Sequence, residues 1–329
     1  MLLDVFRGDA FSFTKLVDAI NLTPYIPTRL GDLNLFQPKP ISTLSAAIEM
    51  RGQVLSLVQS QPRGAPGAPK NVERRTIRDF RTIHLPQRVA IMADEVQGLR
   101  AFGSETEDTV AMQYLQDKMD VARRDLDITH EYQRMGALKG LVLDADGTTI
   151  YNYFTEFGVS QSTLSVALSV STTKVWQFGM ALKRFIEDKL GGVMMQGVRV
   201  LCSAEFMDAF VSHPAVVETF KYQQGQVLRS DYRDSFEFGG ITWEEYRGTI
   251  GGTRFIAANK AYAIPMGVPS LFQTLYSPAP YEETVNTPGL PFYMKAKSMD
   301  YDVGVEWQVQ SNPLHLCTRP DCIVELTAT

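Results

Sequence analysis

The sequence predicts an α+β protein made of an extended amino-terminal arm, a projecting two-stranded loop, one long helix and a mixed α/β body. Three observations carry this reading: strand-like runs on either side of a Pro- and Gly-rich linker at 61–71, a helical pattern unbroken from about Ser104 to Gly136, and short strands alternating with amphipathic helices beyond Leu138. At roughly 150 residues per domain, a chain of 329 residues suggests two lobes. Hydrophobic residues at 44% and charged residues at 21% are globular values, which exclude a wholly disordered chain.

Residues 1–45 read as the arm. One short helix is predicted at 12–21, followed by Pro24, Pro27, Pro38 and Pro40. Each proline removes a backbone donor and pushes its predecessor toward extended geometry. With few periodic apolar positions, the arm is expected to order only when laid against something else, its own body or another copy, and its removal is expected to leave the body folded.

Two strand-like runs follow, at 46–60 and 74–91, carrying Ile48, Met50 and Val54 in the first and Ile77, Ile83 and Leu85 in the second. The linker between them holds three prolines and two glycines, so its tip is irregular and the whole reads as a long loop projecting into solvent. A lone ribbon is marginal in water and needs a surface to lie on. Between Gln61 and Arg88 stand Arg63, Lys70, Arg74, Arg75, Arg78, Arg81 and Arg88 against only Glu73 and Asp79, a local net charge of +5. The whole chain has 32 Lys+Arg against 37 Asp+Glu, a formal net charge of −5. No global basic field draws it to nucleic acid or an anionic membrane, and the ribbon is a local exception suited to an acidic partner surface.

The long helix opens at Ser104-Glu105-Thr106-Glu107, a capping-box pattern in which the serine oxygen and the glutamate side chain satisfy unpaired backbone donors. Its apolar stripe is Ala111, Leu115, Met119, Ala122 and Leu126, and Gly136 is its expected stop. The other faces carry eight acids against four bases. This acidic surface, with Glu105, Asp117 and Asp120 on it, is the expected dock for the basic ribbon.

Beyond Leu138 a hairpin is predicted at 141–157, turning at Asp144-Ala145-Asp146-Gly147. An amphipathic helix at 173–190 closes at Gly191-Gly192. A buried strand at 198–202 precedes helical residues 204–220, interrupted at Pro214. From Phe236 short strands dominate, with turns at Gly239-Gly240, Gly251-Gly252 and Pro288-Gly289, and the last strands fall at 303–309 and 322–326.

Catalytic signals are sparse. Leu141-Val142-Leu143-Asp144-Ala145-Asp146-Gly147-Thr148-Thr149-Ile150 resembles the first motif of haloacid-dehalogenase-type phosphatases, where one Asp is the nucleophile and the second the acid/base beside Mg²⁺. No Gly-Asp pair follows Asp146 to complete such a metal site, so a hairpin turn is the favoured reading. His315, Cys317 and Cys322 fall within eight residues, but structural zinc needs a fourth ligand. Cys202, Cys317 and Cys322 are expected to be free thiols. Nowhere do ~18 apolar residues run together, and the charged opening Asp4 to Arg7 fits no signal peptide, so a soluble, unsecreted protein is expected.

Seven short strings then recur in order: Arg63-Gly64-Ala65-Pro66, Arg100-Ala101-Phe102-Gly103, Leu138-Lys139-Gly140, Gly267-Val268-Pro269-Ser270-Leu271-Phe272, Asn286-Thr287-Pro288-Gly289-Leu290-Pro291-Phe292-Tyr293, Val309-Gln310-Ser311-Asn312-Pro313-Leu314 and Arg319-Pro320-Asp321. Together with the layout they resemble the major capsid proteins of tailed bacteriophages, in particular the lambda-type major capsid protein E family. The resemblance implies a Hong-Kong-97-type phage capsid fold. It places an N-terminal arm on 1–45, an extended loop on 46–91, and the first part of a peripheral domain on 92–161 with its spine helix on 104–136. An axial domain falls on 162–298 and returning peripheral strands on 299–329. Cys317 and Cys322 match no pattern of that family.

The same resemblance implies a shell subunit without active site or cofactor, which self-assembles through pentamers and hexamers into an icosahedral shell enclosing the phage genome. Its implied partners are other copies of itself, scaffold, portal and decoration proteins, and packaged DNA touched non-specifically on the inner face, with no membrane. Its implied place is the virion, after assembly in the host cytoplasm. Arg63, Lys70, Arg74, Arg75, Arg78 and Arg81 of the loop and Glu105, Asp117 and Asp120 of the spine are the expected intersubunit contacts. A phosphatase using Asp144 and Asp146, and a nucleic-acid-binding protein using the basic ribbon 61–88, are the rival classes.

Overall fold

A computed structural model of the chain describes residues 12–22, 28–50, 76–97, 107–222 and 235–329. Its first elements are α1 (Phe13–Leu22), α2 (Arg29–Asp32), β1 (Gln37–Pro40), β2 (Ser45–Met50), β3 (Thr76–Arg81), β4 (Leu85–Met92), α3 (Ala93–Gln97) and α4 (Glu107–Lys139). Next come β5 (Leu141–Leu143), β6 (Thr149–Asn152), α5 (Tyr153–Phe157), β7 (Ser162–Ser165), α6 (Val175–Leu190), β8 (Gly197–Cys202), α7 (Ala204–Ser212) and α8 (Pro214–Tyr222). The remaining strands are β9 (Phe236–Phe238), β10 (Ile241–Glu245), β11 (Thr249–Ile250), β12 (Thr253–Arg254), β13 (Lys260–Met266), β14 (Phe272–Tyr276), β15 (Tyr293–Ser298), β16 (Gly304–Ser311), β17 (Pro313–Cys317) and β18 (Val324–Thr327), with short 3-10 turns at Glu282–Thr284, Asp300–Asp302 and Pro320–Cys322. The chain divides into two compact units, one of residues 1–47, 79–134 and 272–316, the other of 48–78, 135–271 and 317–329.

In the first unit the apolar stripe of α4 does what its spacing predicts. Leu115, Met119, Ala122 and Leu126 are buried against the antiparallel sheet β15-β16-β4, where they meet Met294, Val305, Trp307, Val309 and Ile91. Leu16 and Ile20 of α1 enter the same cluster. The arm helix therefore packs in the core of its own subunit, the first of the two surfaces expected for it, and its removal would strip buried side chains from that core. Asn21 donates to Phe292 O at 3.0 Å and Arg123 donates to Ile20 O at 2.7 Å, so the carbonyl end of α1 is also tied down. A second sheet, β1-β14-β17, pairs β1 with β14 in parallel.

The strand run expected at 74–91 is two strands in two sheets. β3 pairs with β2, whereas β4 pairs with β16. The break at 82–84 has a polar cause: Thr82 N–H donates to Leu44 O, Ile83 N–H to Pro313 O, and the Thr82 and His84 side chains bond Ser277 and Asn312, each at 2.8 Å. With those groups satisfied elsewhere the segment leaves the ladder.

The second unit centres on a six-stranded mixed sheet, β7-β18-β13-β8-β10-β9. Alternate residues Val198, Val200 and Cys202 of β8 are buried in one cluster with Leu182 and Ile186 of α6, Phe206 and Phe210 of α7 and Val216 of α8. Trp243 anchors it, its ring centre 4.0 Å from that of Phe210 and its indole N–H donating to Phe238 O. The expected interruption at Pro214 is the boundary between α7 and α8, proline being tolerated at a first helical position, where its missing N–H has no partner to lose.

Two boundaries shift. The hairpin expected at 141–157 keeps its turn in β5 and β6, but residues 153–157 are the helix α5, because Asn152 caps it by accepting from Phe154 and Thr155 N–H. Helix α4 passes through Gly136 and stops at Gly140, whose φ is +79°. Gly136 is not the terminator. A Cβ there would meet Leu141 O at 2.9 Å and Val142 Cα at 3.0 Å, so the missing side chain lets the following strand pack on the helix.

Candidate intersubunit surface

Of the nine expected contact residues, Arg63, Lys70, Arg74, Arg75 and Glu105 lie outside the described residues, as does the linker at 61–71. Arg78 on β3 lies 3.6 Å from Glu156, both side chains partly exposed, a pairing worth only ~0–1 kcal/mol. Arg81, three residues on, is exposed. Asp117 is exposed on α4, and Asp120 is half-buried with one carboxylate oxygen enclosed.

The spine is less acidic on its surface than its composition implies. Asp127 is buried beside Arg123, at 3.1 Å from its Nε. Glu131, also buried, accepts from Leu30 N–H at 2.8 Å. These two carboxylates serve the inside of the first unit. Sequence reasoning missed that role; the signal was there in Arg123 and Asp127, which stand four residues apart on one helix face.

The sequence sets His315 with Cys317 and Cys322, one ligand short of structural zinc, and leaves His130 isolated; the fold brings the two histidines together with ring centres 5.3 Å apart. His130 bonds Ser311 Oγ at 2.9 Å and stacks on Phe292, while His315 bonds Thr274 Oγ1 at 2.9 Å. Burial holds both imidazoles well below their ordinary pKa, and Arg134 pushes each in the same direction. The pair is a packed, neutral core element of the first unit.

Between β4 and α4 lies a groove of about 780 Å³, with Val89, Ala90, Val121 and Ala122 among its apolar lining and Arg88 and Lys118 as its cations. Asp117 and Asp125 also line it.

The Asp144 and Asp146 carboxylates are exposed and occupied by their own turn. Asp144 accepts from Ala145 N–H, and Asp146 accepts from both Thr148 N–H and Thr148 Oγ1, bonds that hold the Asp146 carboxyl below its usual pKa. This is a hydrogen-bonded turn in water, not a nucleophile beside its acid in a cleft. Burial raises the pKa of the Cys202, Cys317 and Cys322 thiols, Cys322 to about 12. Among the described residues no three His, Cys, Asp or Glu side chains are grouped to hold a metal ion, and no helix is long and apolar enough to cross a membrane.

Comparison with known proteins agrees with this picture of packing surfaces. The sequence profile of the family described as phage major capsid protein E matches residues 12–328. The chain is 30% identical to the major capsid protein of Pseudomonas phage KPP10 over 311 residues, covering 86% of this chain and 87% of that protein. It is 24% identical to the major capsid protein of Salmonella phage Felix O1, covering 97% and 96%. In structure it resembles the mature capsid of bacteriophage PhiM1, with a TM-score of 0.52 at 10% identity over 93% of this chain and 89% of that one. It also resembles the capsid of Myoviridae phage XM1, with a TM-score of 0.51 at 10% identity over 94% of each. The chain therefore belongs to the phage major capsid protein E family, as a shell-forming capsid protein of the Hong-Kong-97-type fold.

Proposed function

We propose that this chain is the major head protein of a tailed phage, whose copies gather as pentamers and hexamers and close an icosahedral shell around the genome, with no catalytic activity of its own. The observation that carries the reading is the family match along residues 12–328. In this reading the chain resides in the virion, assembles in the host cytoplasm, and meets scaffold, portal and decoration proteins, with DNA touching its inner face without sequence preference. The arm is 1–45, the extended loop 46–91, the peripheral domain 92–161 and 299–329, and the axial domain 162–298. With these bounds the peripheral portions contain α4 and β16, and the axial portion contains β15 and most of the six-stranded sheet.

The basic loop of one copy docks on an acidic part of the next, through Arg63, Lys70, Arg74, Arg75, Arg78 and Arg81 toward Glu105, Asp117 and Asp120. Each exposed ion pair contributes at most about 1 kcal/mol. Repeated at every subunit of a shell, several such pairs together decide assembly, and salt weakens them over a Debye length of ~10 Å at 0.1 M. Negative-stain microscopy of the expressed protein tests the class: capsomers or closed shells support it. Reversing Arg74, Arg75 and Arg78 to Glu is expected to leave monomer melting unchanged and to block or misdirect shells; unimpaired shells at low salt overturn the docking. Loss of DNA affinity in that variant, with shells intact, is the outcome a nucleic-acid-binding protein predicts. Mg²⁺-dependent phosphate-ester hydrolysis abolished by Asp144→Asn is what the phosphatase reading predicts.

A further inference from the structure

Every open sheet has two edge strands, and an edge presents a row of unpaired N–H and C=O groups with which another chain can pair. Most edge strands of this protein carry a residue that discourages it. β1 has Pro38, Lys39 and Pro40, β4 has Pro86 and Arg88, β15 has Lys295 and Lys297, and β9 has Glu237. β17 opens on Pro313 and is buried throughout. The exception is β7, an edge of the six-stranded sheet that reads Ser162-Thr163-Leu164-Ser165. Neither a proline nor a charged residue occurs anywhere from Phe157 to Thr173.

The closed side of β7 tells which groups lie on its open side. The strand pairs with β18 in parallel, with Leu164 beside Leu326, and just past it Val166 N–H donates to Thr327 O at 2.9 Å. Backbone groups of successive strand residues point to opposite edges. The even-numbered positions therefore face β18, and the N–H and C=O of Thr163 and Ser165 point away from it. Both residues are exposed, and among the described residues nothing bonds those four backbone groups. Leu164, between them, is partly buried and packs on the core cluster of the sheet.

We propose that β7 of one copy pairs antiparallel with β7 of a second copy across a two-fold axis through Leu164, joining two six-stranded sheets into one. This rests on the reading of the chain as a shell subunit. The open groups fix the register. With Leu164 opposite its own counterpart, Thr163 of each copy stands opposite Ser165 of the other, and the two exchange N–H···O bonds as a hydrogen-bonded antiparallel pair does. Leu164 then takes the non-hydrogen-bonded position, where side chains approach closest, and each leucine covers what the other leaves exposed. Charge argues for a second copy as the occupant: a strand without charge meets itself with no like charges opposed, as a self-complementary two-fold contact requires. So short a strand falls well below the ~1,200–2,000 Å² of a stable interface, so the pairing forms within the shell, where other contacts gather the copies.

The test uses full-length protein assembled into particles. Leu164→Cys is oxidised with copper–phenanthroline; the three native cysteines are buried, and the unaltered chain serves as the blank. A linked dimer with nothing larger is expected on a denaturing gel, because a two-fold contact joins copies only in pairs. Thr163→Cys lies diagonal to its own counterpart and is expected to link about tenfold less. Particles of normal morphology in which Leu164→Cys gives no dimer, a ladder of larger multimers, or no more link than Thr163→Cys overturn the contact and leave the shell reading standing. Failure of the unaltered chain to form capsomers or particles at all overturns both. Should the cysteine itself disturb assembly, charge decides. Thr163→Lys with Ser165→Lys opposes like charges and is expected to lower particle yield about tenfold with monomer melting unchanged. Thr163→Lys with Ser165→Glu opposes unlike charges and is expected to restore the yield. Equal yields from the two double variants overturn the proposal.

Discussion

The guanidinium carbon of Arg123 lies 3.5 Å from the centre of the Phe292 ring. The same side chain donates to Ile20 O and to Asp127, so one buried cation ties α1, α4 and the segment before β15 together. Removing one member of a buried charge pair typically costs ~3–5 kcal/mol. Arg123→Ala is expected to fall in that range in denaturant melts. Arg123→Lys is expected to recover only part of it, because an ammonium cannot stack flat on the ring and bond two acceptors at once. Full recovery by Lys would show that charge alone matters there.

Acid is expected to loosen the first unit. His130 and His315 are held below the ordinary 6.5 by burial and by Arg134, with Arg123 adding to His130 and His130 to His315. Asp127 and Glu131 on α4 are the acids nearest in sequence to oppose this, and Tyr276 of β14 faces His130 as a neutral ring. A group whose folded pKa lies below its unfolded value leaves stability unaffected above ~6.5 and removes it as pH falls from there toward the folded value. The slope is up to ~1.4 kcal/mol per pH unit for each histidine. Urea melts at pH 7.5, 6 and 5 measure it, and His315→Gln should flatten the curve.

Ile20→Ala should cost ~2–5 kcal/mol, as for other fully buried aliphatic side chains. A neutral effect in a thermal melt would return α1 to the status of a detachable arm.

Gly136→Ala runs against helix propensity. At an ordinary helix position the change gains about 1 kcal/mol; here the new methyl meets backbone at 2.9 and 3.0 Å, and a loss of ~1–3 kcal/mol is expected from overpacking. A raised melting temperature would mean that β5 can move away at no cost.

Asp144→Asn and Asp146→Asn should leave melting and particle yield within error, because asparagine accepts the same turn hydrogen bonds.

Periodicity made the framework legible. The α4 stripe, α6, β8 and the break at Pro214 all follow from spacing and from what proline forbids locally. Contacts distant in sequence were not legible. Nothing local in Leu16 and Ile20 says that they pack on Trp307, some 290 positions away, and nothing near Thr82 says that Ser277 will draw it out of a strand. Gly136 misled because a glycine near a helix end usually stops it, whereas this one makes room for the next strand. The pairing of His130 with His315 is invisible for the same reason: it exists only once β17 lies beside α4.

All three cysteines are sealed in the second unit, while the histidine pair and Trp307 belong to the first. Cys202 and Cys322 lie in the core cluster around the six-stranded sheet, so a thiol reagent added to native protein times the opening of that cluster. Cys317 ends β17, in the sheet β1-β14-β17, and its labelling waits on that strand. The molecule carries its own stopwatch for that cluster, and a shell in which labelling slows relative to free subunits would reveal how far assembly clamps it shut.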